Sequence, residues 1–466
     1  MLTFSAEGKR DFDMMIDCGL LVGTKNGDAI MQAVAADIKQ NLAAKEKVDG
    51  KEPIDVVVLT HEHADHISGF TQAQAIFDQI HLGEFWAGWV DDVNNPNYQA
   101  VRDRFKKQIT GLKAAVAKMS NDQQSLKDTI NALTNEFFMD DVLGANGSTT
   151  GRSPAWDYVT DKSASQRYFS PGDMIEIPGF EDLRIYVLGP PEDFETFTRV
   201  DPPSDETYRD KGSNFTLADS FFAAVTPSAD SLTGELCQPF EGHLRIEIDR
   251  AADDDFFENR YGFAENAPNQ WRRINDDWLS IAGGLALNLD SYTNNTCLAL
   301  AIEFVKSGKV LLFPGDAQFA NWISWQKLLW QIPDGTGGKR TVKTEDLLNQ
   351  TVFYKVGHHG SHNATLKTHG LEMMTNSELI AMIPVSRTKA KSKKWEMPEE
   401  NLLNRLVART RGRVIFADES DITALESRSL DPDFTAKVKF GDKTLVRDQD
   451  NPEVLEPIYV EFTIAG

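Results

Sequence analysis

Short apolar runs, each followed by turn-forming residues, recur along the chain of 466 residues. Such runs are typical of strands that are buried on both faces in layered α/β proteins. The helical spacing of Ile30, Val34 and Ile38 predicts a helix at 28–45 between two of these runs. The pattern therefore predicts an α/β fold. The expected strands lie at 12–19, 55–60, 183–189, 297–304, 309–316, 351–357 and 378–386.

Two stretches interrupt this alternation of strands and helices. Between about 94 and 145, apolar residues three and four positions apart predict a helical hairpin, with "SND" at 120–122 as its turn. Between about 200 and 285 the chain is acidic, aromatic and irregular. Insertions of this kind often form lids or partner surfaces, although packing alone also explains their aromatic residues. We therefore expect a single domain over 1–466 with two insertions.

The composition is that of a folded, acidic protein. The hydrophobic fraction is 41% and the formal net charge is −23, so the surface as a whole repels phosphate backbones. Extensive non-specific nucleic-acid binding is not expected, whereas a small phosphodiester at a local cationic site is compatible with this charge. The basic run "SRTKAKSKK" at 386–394 is interpreted either as a solvated loop or as a loop that faces phosphate.

The apolar runs and the cysteines of the sequence bear on the cellular location of the protein. No apolar run reaches the roughly 20 residues that a membrane span needs. The cysteines Cys18, Cys237 and Cys297 are too widely spaced for a disulfide framework or a CxxC metal motif. This usage fits a reducing compartment and predicts a cytoplasmic location. The sequence does not indicate an oligomeric state.

Six of the nine histidines lie in two short segments. In "THEHADH" (60–66), His61 and His63 follow a predicted strand and point to the same side, because alternate residues of an extended chain share a face. Asp65 and His66 fall in the first turn of a predicted helix that extends to residue 77. These two pairs are placed to hold two different cations. Mixed imidazole and carboxylate ligands suit zinc, manganese or iron better than calcium or magnesium.

A second histidine cluster supports this interpretation. The segment "KVGHHGSHNAT" follows another predicted strand and contains His358, His359 and His362. Between the clusters, "KVLLFPGDAQ" ends a strand at Gly315 and Asp316, where a carboxylate is placed to bridge two cations. Alpha/beta folds build their sites at such carboxyl ends of strands. The alternative is a histidine-rich surface loop that binds no metal.

The order "IDCG", "THEHADHISG", "LLFPGDAQ" and "VGHHGS" resembles the metallo-β-lactamase superfamily. The double histidine and the segment 382–418 more narrowly resemble the branch that contains the soluble hydrolase domain of bacterial DNA-uptake competence proteins. The resemblance runs from the first strand to about residue 418. It implies the metallo-β-lactamase fold, a four-layer αββα sandwich, here interrupted by the two insertions.

The resemblance also implies a centre of two divalent metal ions, zinc or manganese. Spacing alone does not separate the adjacent His358 and His359 as ligands, but the resemblance favours His359 and leaves His358 to contact the substrate or leaving group. By this resemblance, the first ion is bound by His61 and His63, and the second by Asp65, His66 and His359. Asp316 bridges both ions.

One position departs from the superfamily pattern. Most members supply a further histidine to the first metal from a loop before the "GD" strand, but "YVLGPPEDF" has Gly189 and Pro190 there. His81 and His243 are distant substitutes that are better explained as structural histidines. The first metal site is therefore expected to be weak, open or filled only when substrate binds. Members of the competence branch often lack this ligand as well.

Further polar residues near the motifs have two interpretations each. Asp17 in "MIDCG" either orders the metal-binding loop through hydrogen bonds or is a simple turn aspartate. Asn294, Asn295, Ser361 and His362 are candidate substrate contacts. Turn capping explains the asparagines equally well, and loop support explains the serine and the histidine.

The predicted function is hydrolysis. The resemblance implies a metal-dependent hydrolase in which a metal-bound hydroxide attacks phosphorus or an acyl carbon. Asp65 would orient the nucleophile and His358 would donate a proton to the leaving group. The branch resemblance favours phosphodiesters, as in nucleases and phosphodiesterases. The alternatives are a hydrolase of a lactone, thioester or lactam, and a non-catalytic binding scaffold on the same fold.

Overall fold

The structure is a computed structural model, and its described residues form two compact units. The first unit comprises 1–101, 136–214 and 291–466, and the second comprises 102–135 and 215–290. The predicted turn at 120–122, Cys237 and His243 lie outside the described residues. The structure describes residues 1–21, 23–119, 124–135, 152–197, 202–208, 246, 248–263, 267–272, 281–333, 337–393, 395–429, 431–445 and 455–466.

The strands among the described residues all belong to the first unit. In chain order they are β1 (Leu2–Phe4), β2 (Phe12–Ile16), β3 (Glu52–Val58), β4 (Ile80–Gly88), β5 (Ser165–Phe169), β6 (Met174–Ile177), β7 (Phe180–Gly189), β8 (Ala299–Phe304), β9 (Lys309–Phe313), β10 (Leu329–Pro333), β11 (Lys339–Lys343), β12 (Thr351–Lys355), β13 (Ile380–Ile383), β14 (Val414–Phe416), β15 (Val438–Phe440), β16 (Lys443–Leu445), β17 (Glu456–Pro457) and β18 (Val460–Phe462).

These strands form two large sheets and three small ribbons. One sheet has five strands in the order β1-β2-β3-β4-β5, parallel except for the β1/β2 pair. The other has seven strands in the order β14-β13-β12-β9-β8-β7-β6. In it, β9, β12, β13 and β14 are parallel, whereas β6, β7, β8 and β9 pair antiparallel. The ribbons pair β10 with β11, β15 with β18, and β16 with β17.

Helices surround these sheets. In the first unit they lie at Gly27–Leu42, Ala64–Ile67, Gly69–Gln72, Gln74–Phe77, Pro154–Lys162, Phe194–Phe197, Phe319–Trp325, Thr344–Asn349, Arg387–Lys393, Glu400–Thr410, Ile422–Arg428 and Pro432–Thr435, with 3-10 turns at Trp89–Asp91, His358–Gly360 and Leu371–Met373. Wholly or mainly in the second unit are Tyr98–Lys118, Gln124–Asn135, Ile248–Ala252, Asp255–Tyr261 and Ile281–Asn294, with a 3-10 turn at Gln270–Arg272.

Apolar side chains bury both faces of the two large sheets. One cluster combines Met14 and Val58 of the five-stranded sheet with Leu300 and Leu311 of the seven-stranded sheet, so these faces pack against each other. The opposite face of the five-stranded sheet packs on the helix Gly27–Leu42. The other face of the seven-stranded sheet packs on helices that include Phe319–Trp325 and Glu400–Thr410. The predicted α/β class is therefore confirmed.

The predicted helix after Asp65 is shorter than expected. The chain forms three helices of four residues each, Ala64–Ile67, Gly69–Gln72 and Gln74–Phe77. Gly69 lies so close to the loop after β2 that a Cβ would be 2.8 Å from the Cys18 carbonyl oxygen. Ala73 leaves helical geometry, with φ −114° and ψ 25°. Packing against the neighbouring loop therefore bends a segment whose apolar spacing predicts one helix.

The loops after β2, β3, β9 and β12 meet at one end of the two sheets. The Asp17 N–H donates to the Val58 carbonyl (2.9 Å), which joins the ends of β2 and β3. The Leu298 N–H donates to the Thr60 carbonyl (2.8 Å), which joins one sheet to the other. These loops carry both histidine clusters. In the part of the chain that the structure describes, no helix has the length and apolarity needed to cross a bilayer.

Candidate metal centre

Asp17 fixes the start of the first histidine loop. Its carboxylate accepts hydrogen bonds from the Thr60 N–H (2.8 Å) and the Thr60 hydroxyl (2.7 Å). The same carboxylate lies 2.7 Å from Nδ1 of His66. With its Nδ1–H donated to Asp17, His66 directs Nε2 towards Asp316, whose Oδ2 is 3.1 Å away. Asp17 thus has the orienting contacts that one of its two interpretations predicts.

His61 and His63 present two ring nitrogens to each other. Nε2 of His61 lies 2.9 Å from Nδ1 of His63, and both rings are buried. Because the Thr60 hydroxyl donates to Asp17, its oxygen accepts from Nδ1 of His61 (3.0 Å) and leaves Nε2 of His61 as the unprotonated nitrogen. Burial lowers the pKa of His63 to about 4 and that of His61 well below its usual range. Both rings are therefore neutral, which is the form that binds metal.

Asp316 lies at the middle of the centre and is almost fully buried. Its Oδ1 accepts the His358 N–H (2.9 Å), and its N–H donates to Sγ of Cys297 (3.2 Å). Burial alone would raise its pKa, but the neighbouring His66 outweighs this and holds the pKa of Asp316 well below its usual range. The preceding Gly315 has φ +60°, and a Cβ there would lie 3.0 Å from Sγ of Cys297. A side chain at this position would strain the backbone and press on Cys297, so glycine is favoured here.

His359 joins the centre from the loop after β12. Its Nε2 lies 3.1 Å from Oδ2 of Asp65, and its Nδ1 contacts the Pro384 carbonyl. Burial opposes both charges, yet His66 and His359 lower the pKa of Asp65, and Asp65 raises the pKa of His359. His358 and His359 have φ 45° and 54°, a left-handed conformation that costs about 1–3 kcal/mol per non-glycine residue. The surrounding contacts hold this strained turn in place.

The donor atoms form two groups that share one residue. His61, His66 and Asp316 make one group, and Asp65, Asp316 and His359 make the other, with the atoms of each group within 4.8 Å of one another. Imidazole nitrogens with carboxylate oxygens are a donor set that fits divalent zinc or manganese.

The six residues that the sequence predicts as ligands therefore lie together. The grouping differs from the predicted pairs, because His66 falls with His61 and Asp316 rather than with Asp65. Nε2 of His66 is nevertheless only 3.9 Å from Oδ2 of Asp65. His63 belongs to neither group, but its Nδ1 contacts Nε2 of His61, which does.

His358 is beside the centre but outside both donor groups. Ser361 donates its hydroxyl to Oδ1 of Asn363 (2.9 Å) and lies 3.0 Å from Nδ1 of His358. Nε2 of Gln318 lies 3.4 Å from the same Nδ1, so the serine hydroxyl and the glutamine amide both hold this side of the ring. Burial lowers the pKa of His358, so this ring is neutral.

The other predicted substrate contacts differ in burial: the two asparagines, Asn294 and Asn295, are fully buried, whereas His362 is half-buried. Asn295 donates to the Phe197 carbonyl (3.1 Å) and accepts from the Gln318 N–H (3.3 Å), so its amide holds the loop that follows Asp316. His362 is half-buried, and its carbonyl accepts from the Thr207 hydroxyl (3.3 Å).

Two features near the centre were not anticipated from the sequence. Gln318 is fully buried next to Asp316, and its Oε1 has no hydrogen-bond partner among the residues described. Glu62, between the two predicted ligands, accepts the Ser153 N–H (2.9 Å), and Arg152 pairs with Asp91 (3.0 Å). Gln318 follows the "GD" motif but belongs to no known metal-binding pattern. The contact between Glu62 and Ser153 joins residues that are 91 positions apart in the sequence. Neither carries a local sequence signal.

The structure explains why Gly189 provides no ligand. A Cβ on Gly189 would lie 2.6 Å from Oδ1 of Asn321 and 3.2 Å from Nε1 of Trp325, so the helix Phe319–Trp325 fills the space of a side chain. The Pro190 carbonyl accepts from Nε1 of Trp89 (3.2 Å). His81 is placed elsewhere, near the exposed Asp49.

Residues 10–82 match the family model described as the Metallo-beta-lactamase superfamily. This match supports the superfamily that the sequence motifs predict. Its members are generally hydrolytic metalloenzymes that bind divalent metal ions. The matched segment contains β2, β3 and the whole first histidine loop, whereas Asp316 and His359 lie beyond it. Neither the curated proteins nor the solved structures contain a match to the chain. The resemblance to the competence branch remains a prediction.

Proposed function

We propose that the protein is a metal-dependent hydrolase of the four-layer metallo-β-lactamase fold, with two divalent cations in one centre. The observation that carries this proposal is the position of Asp316, which belongs to both donor groups. A carboxylate shared in this way is suited to bridge two ions. The superfamily match at residues 10–82 supports a hydrolytic metalloenzyme.

The proposed ligands follow the sequence prediction. His61, His63 and Asp316 would hold a first ion, and Asp65, His66, Asp316 and His359 would hold a second. The 2.9 Å approach of His61 and His63 supports the first assignment. The second assignment is supported by the 3.1 Å contact of His359 with Asp65 and by the 3.9 Å distance from Nε2 of His66 to the same carboxylate. When bound, the cations supply Lewis-acid activation of water and neutralise charge that develops on the attacked group.

The protein groups position this chemistry and move its protons. Asp17 holds His66 in one orientation, and His359 contacts the carboxylate of Asp65, which would orient water. Ser361 and Gln318 both contact Nδ1 of His358, so Nε2 is the nitrogen that would accept a proton first and return it to the leaving group. This sequence retains His358 as the predicted proton donor.

Phosphodiesters remain the favoured substrates, on the resemblance to the competence branch. Hydrolysis of a lactone, thioester or lactam on the same centre is the alternative, and a binding scaffold without turnover is another. A cytoplasmic location remains part of the proposal, and the free thiols of Cys18 and Cys297 agree with it.

The test combines metal analysis with a substrate panel. The purified chain, saturated with manganese or zinc and then dialysed, is assayed on bis-p-nitrophenyl phosphate, on short oligonucleotides and on a set of lactones. We expect about two ions per chain and hydrolysis of the phosphodiesters. Turnover of lactones alone would refute the phosphodiesterase assignment. Fewer than about one ion per chain, without turnover of any substrate, would favour the scaffold.

A further inference from the structure

A basic segment begins and ends at the double histidine. The Pro384 carbonyl contacts Nδ1 of His359, and the Glu399 N–H donates to the Gly360 carbonyl (2.9 Å). A Cβ on Gly360 would lie 2.7 Å from Cβ of Pro398, so the returning chain packs directly on the histidine turn. Residues 385–393 and 395–397, here called the 385–397 loop, therefore form an excursion with both ends at the candidate centre.

One lysine of this loop reaches the segment that follows β2. Nζ of Lys389 donates to the Thr24 hydroxyl (2.7 Å). Thr24 belongs to the segment that starts at Asp17 and is held by the bond from the Leu20 N–H to Oγ of Ser68 (3.1 Å). The helix Arg387–Lys393 thus connects the loop after β13 with the loop after β2. It lies at the rim of the centre that holds His66 and His359.

The charges of this helix are distributed unevenly. Arg387 is compensated by Asp418 (2.8 Å) and Glu419 (3.5 Å). Lys391 and Lys393 are exposed, and Lys389 is half-buried at the Thr24 contact. In a chain of net charge −23, a lysine-rich helix beside the candidate centre is a local reversal of the surface potential. The positive potential at this rim attracts anions, whereas the acidic rest of the surface repels them.

Trp395 adds an aromatic face next to these lysines. Its N–H donates to the Ala390 carbonyl (2.9 Å), which places it at the end of the basic helix, and its side chain is 42% exposed. Among the tryptophans within the described ranges, only Trp395 and Trp271 are exposed, and the others, such as Trp322 and Trp325, are buried. Lysines that follow a phosphate backbone beside an aromatic ring that stacks on a base are the two elements of single-strand nucleotide recognition.

We propose that the 385–397 loop is the substrate-recognition element of the centre and that it binds nucleotide phosphodiesters. Lys389, Lys391 and Lys393 attract the phosphates, and Trp395 stacks on a base. The inference rests on the proposed function and narrows its substrate class to short single-stranded nucleotides. Because the rest of the surface is acidic and repels phosphate, the bound ligand is limited to the few nucleotides that this loop contacts.

The experiment measures binding rather than turnover. A short oligothymidylate and an abasic oligomer of the same length, both labelled with fluorescein at the same end, are titrated with the full chain in EDTA while anisotropy is recorded. Wild type is compared with Trp395→Ala and with the double variant Lys391→Ala/Lys393→Ala. Matched controls are Trp271→Ala, which removes the other exposed tryptophan of the described ranges, and Lys437→Ala/Lys439→Ala, which removes the same charge at β15 and the residue before it.

We expect Trp395→Ala to weaken oligothymidylate binding about tenfold and to leave abasic binding almost unchanged, because only a base stacks. The lysine variant should weaken the binding of both ligands and reduce the magnitude of the slope of log K against log salt by about 1.4, because two phosphate contacts are lost. The two controls should behave as wild type. Equal binding of both ligands by wild type, or equal effects of Trp395→Ala and Trp271→Ala, would overturn the proposal.

A separate measurement distinguishes this failure from failure of the proposed function. Bis-p-nitrophenyl phosphate has no nucleobase and is assayed with wild type and metal. If wild type hydrolyses it but does not prefer the oligothymidylate, the recognition role of the 385–397 loop is wrong and the hydrolase assignment stands. If wild type binds no metal and hydrolyses nothing, the proposed function itself fails.

Discussion

The two halves of the candidate centre are built in different ways. The Asp65 half, defined by Asp65, His66, Asp316 and His359, gathers donors from the loops after β3, β9 and β12. It contains two carboxylates that contact two imidazoles at 3.1 Å. The His61 half, defined by His61 and His63, comes from one loop and contains neutral imidazoles with no carboxylate of its own.

This difference has a physical consequence for cation binding. A cation in the Asp65 half compensates two buried carboxylates, whereas a cation in the His61 half gains only a share of Asp316. Buried carboxylates gain more than neutral rings from a nearby positive charge. The position that most superfamily members use to strengthen the His61 half is closed here, because Asn321 and Trp325 pack against Gly189. We therefore expect the two halves to bind cations with unequal affinity.

The largest expected effect is that of Asp316→Ala. Removing the shared carboxylate should abolish binding in both halves, and kcat/KM for bis-p-nitrophenyl phosphate should fall on the order of a thousandfold or more. Metal content by mass spectrometry and steady-state kinetics measure the two quantities. Asp161→Ala, an exposed aspartate in the helix Pro154–Lys162, is the matched control and should retain both. Retained activity in Asp316→Ala would show that this carboxylate does not bridge the ions.

Single histidine variants separate the halves. His359→Ala should remove the tighter of two cations, because it takes a ligand from the Asp65 half, whereas His63→Ala should remove the weaker one. Equilibrium dialysis against manganese resolves the two binding steps. The measurement contradicts the inequality if both variants lose the same binding step, or if His358→Ala rather than His359→Ala removes the tighter ion.

The pH dependence should also differ between the halves. In the metal-free protein, carboxylate neighbours outweigh burial and raise the pKa of His66 and His359, so these rings carry protons that a cation must displace. Affinity in the Asp65 half should therefore increase with pH until those groups titrate, with release of about two protons. In the His61 half, the pKa of His63 is about 4, so affinity should be flat above about pH 5. Calorimetry in buffers of different ionisation enthalpy counts the protons. Equal proton release for both ions would remove this distinction.

The smallest expected effect comes from residues that orient ligands. Asp17→Asn weakens the acceptor for Nδ1–H of His66 and should lower affinity in the Asp65 half by about 10-fold to 100-fold. Glu62→Gln, which alters the contact with the Ser153 N–H, is the counterpart in the His61 half. Each variant is titrated with manganese. A change confined to the opposite half would contradict the assigned contacts.

The sequence predicts the core strands and the principal donors because both depend on local patterns. The apolar runs at 12–19 and 55–60 became β2 and β3, and the donors of "THEHADH" follow β3 by a few residues. Long-range packing was not predictable in this way. The break at Gly69 depends on contact with Cys18, and the closure at Gly189 depends on Asn321, more than 100 residues away.

The grouping of donors likewise depends on tertiary structure. Spacing placed His66 with Asp65, since both lie in one helical turn. In the folded protein, Asp17 turns the His66 ring so that its Nε2 faces Asp316 instead. The hydrogen bonds of Gln318 and Glu62 join segments that are remote in sequence. No local pattern encodes such contacts, so the sequence predicts which residues meet better than how each ring is oriented.

The most direct measurement is anomalous diffraction from a crystal of the protein grown with manganese. A dinuclear centre predicts two anomalous peaks, one bound by His61, His63 and Asp316 and a stronger one bound by Asp65, His66, Asp316 and His359. The peak of the His61 half should be the weaker one at limiting manganese. A single peak that Asp316 does not contact, or the absence of any peak among these side chains at saturating manganese, would refute the two-ion centre.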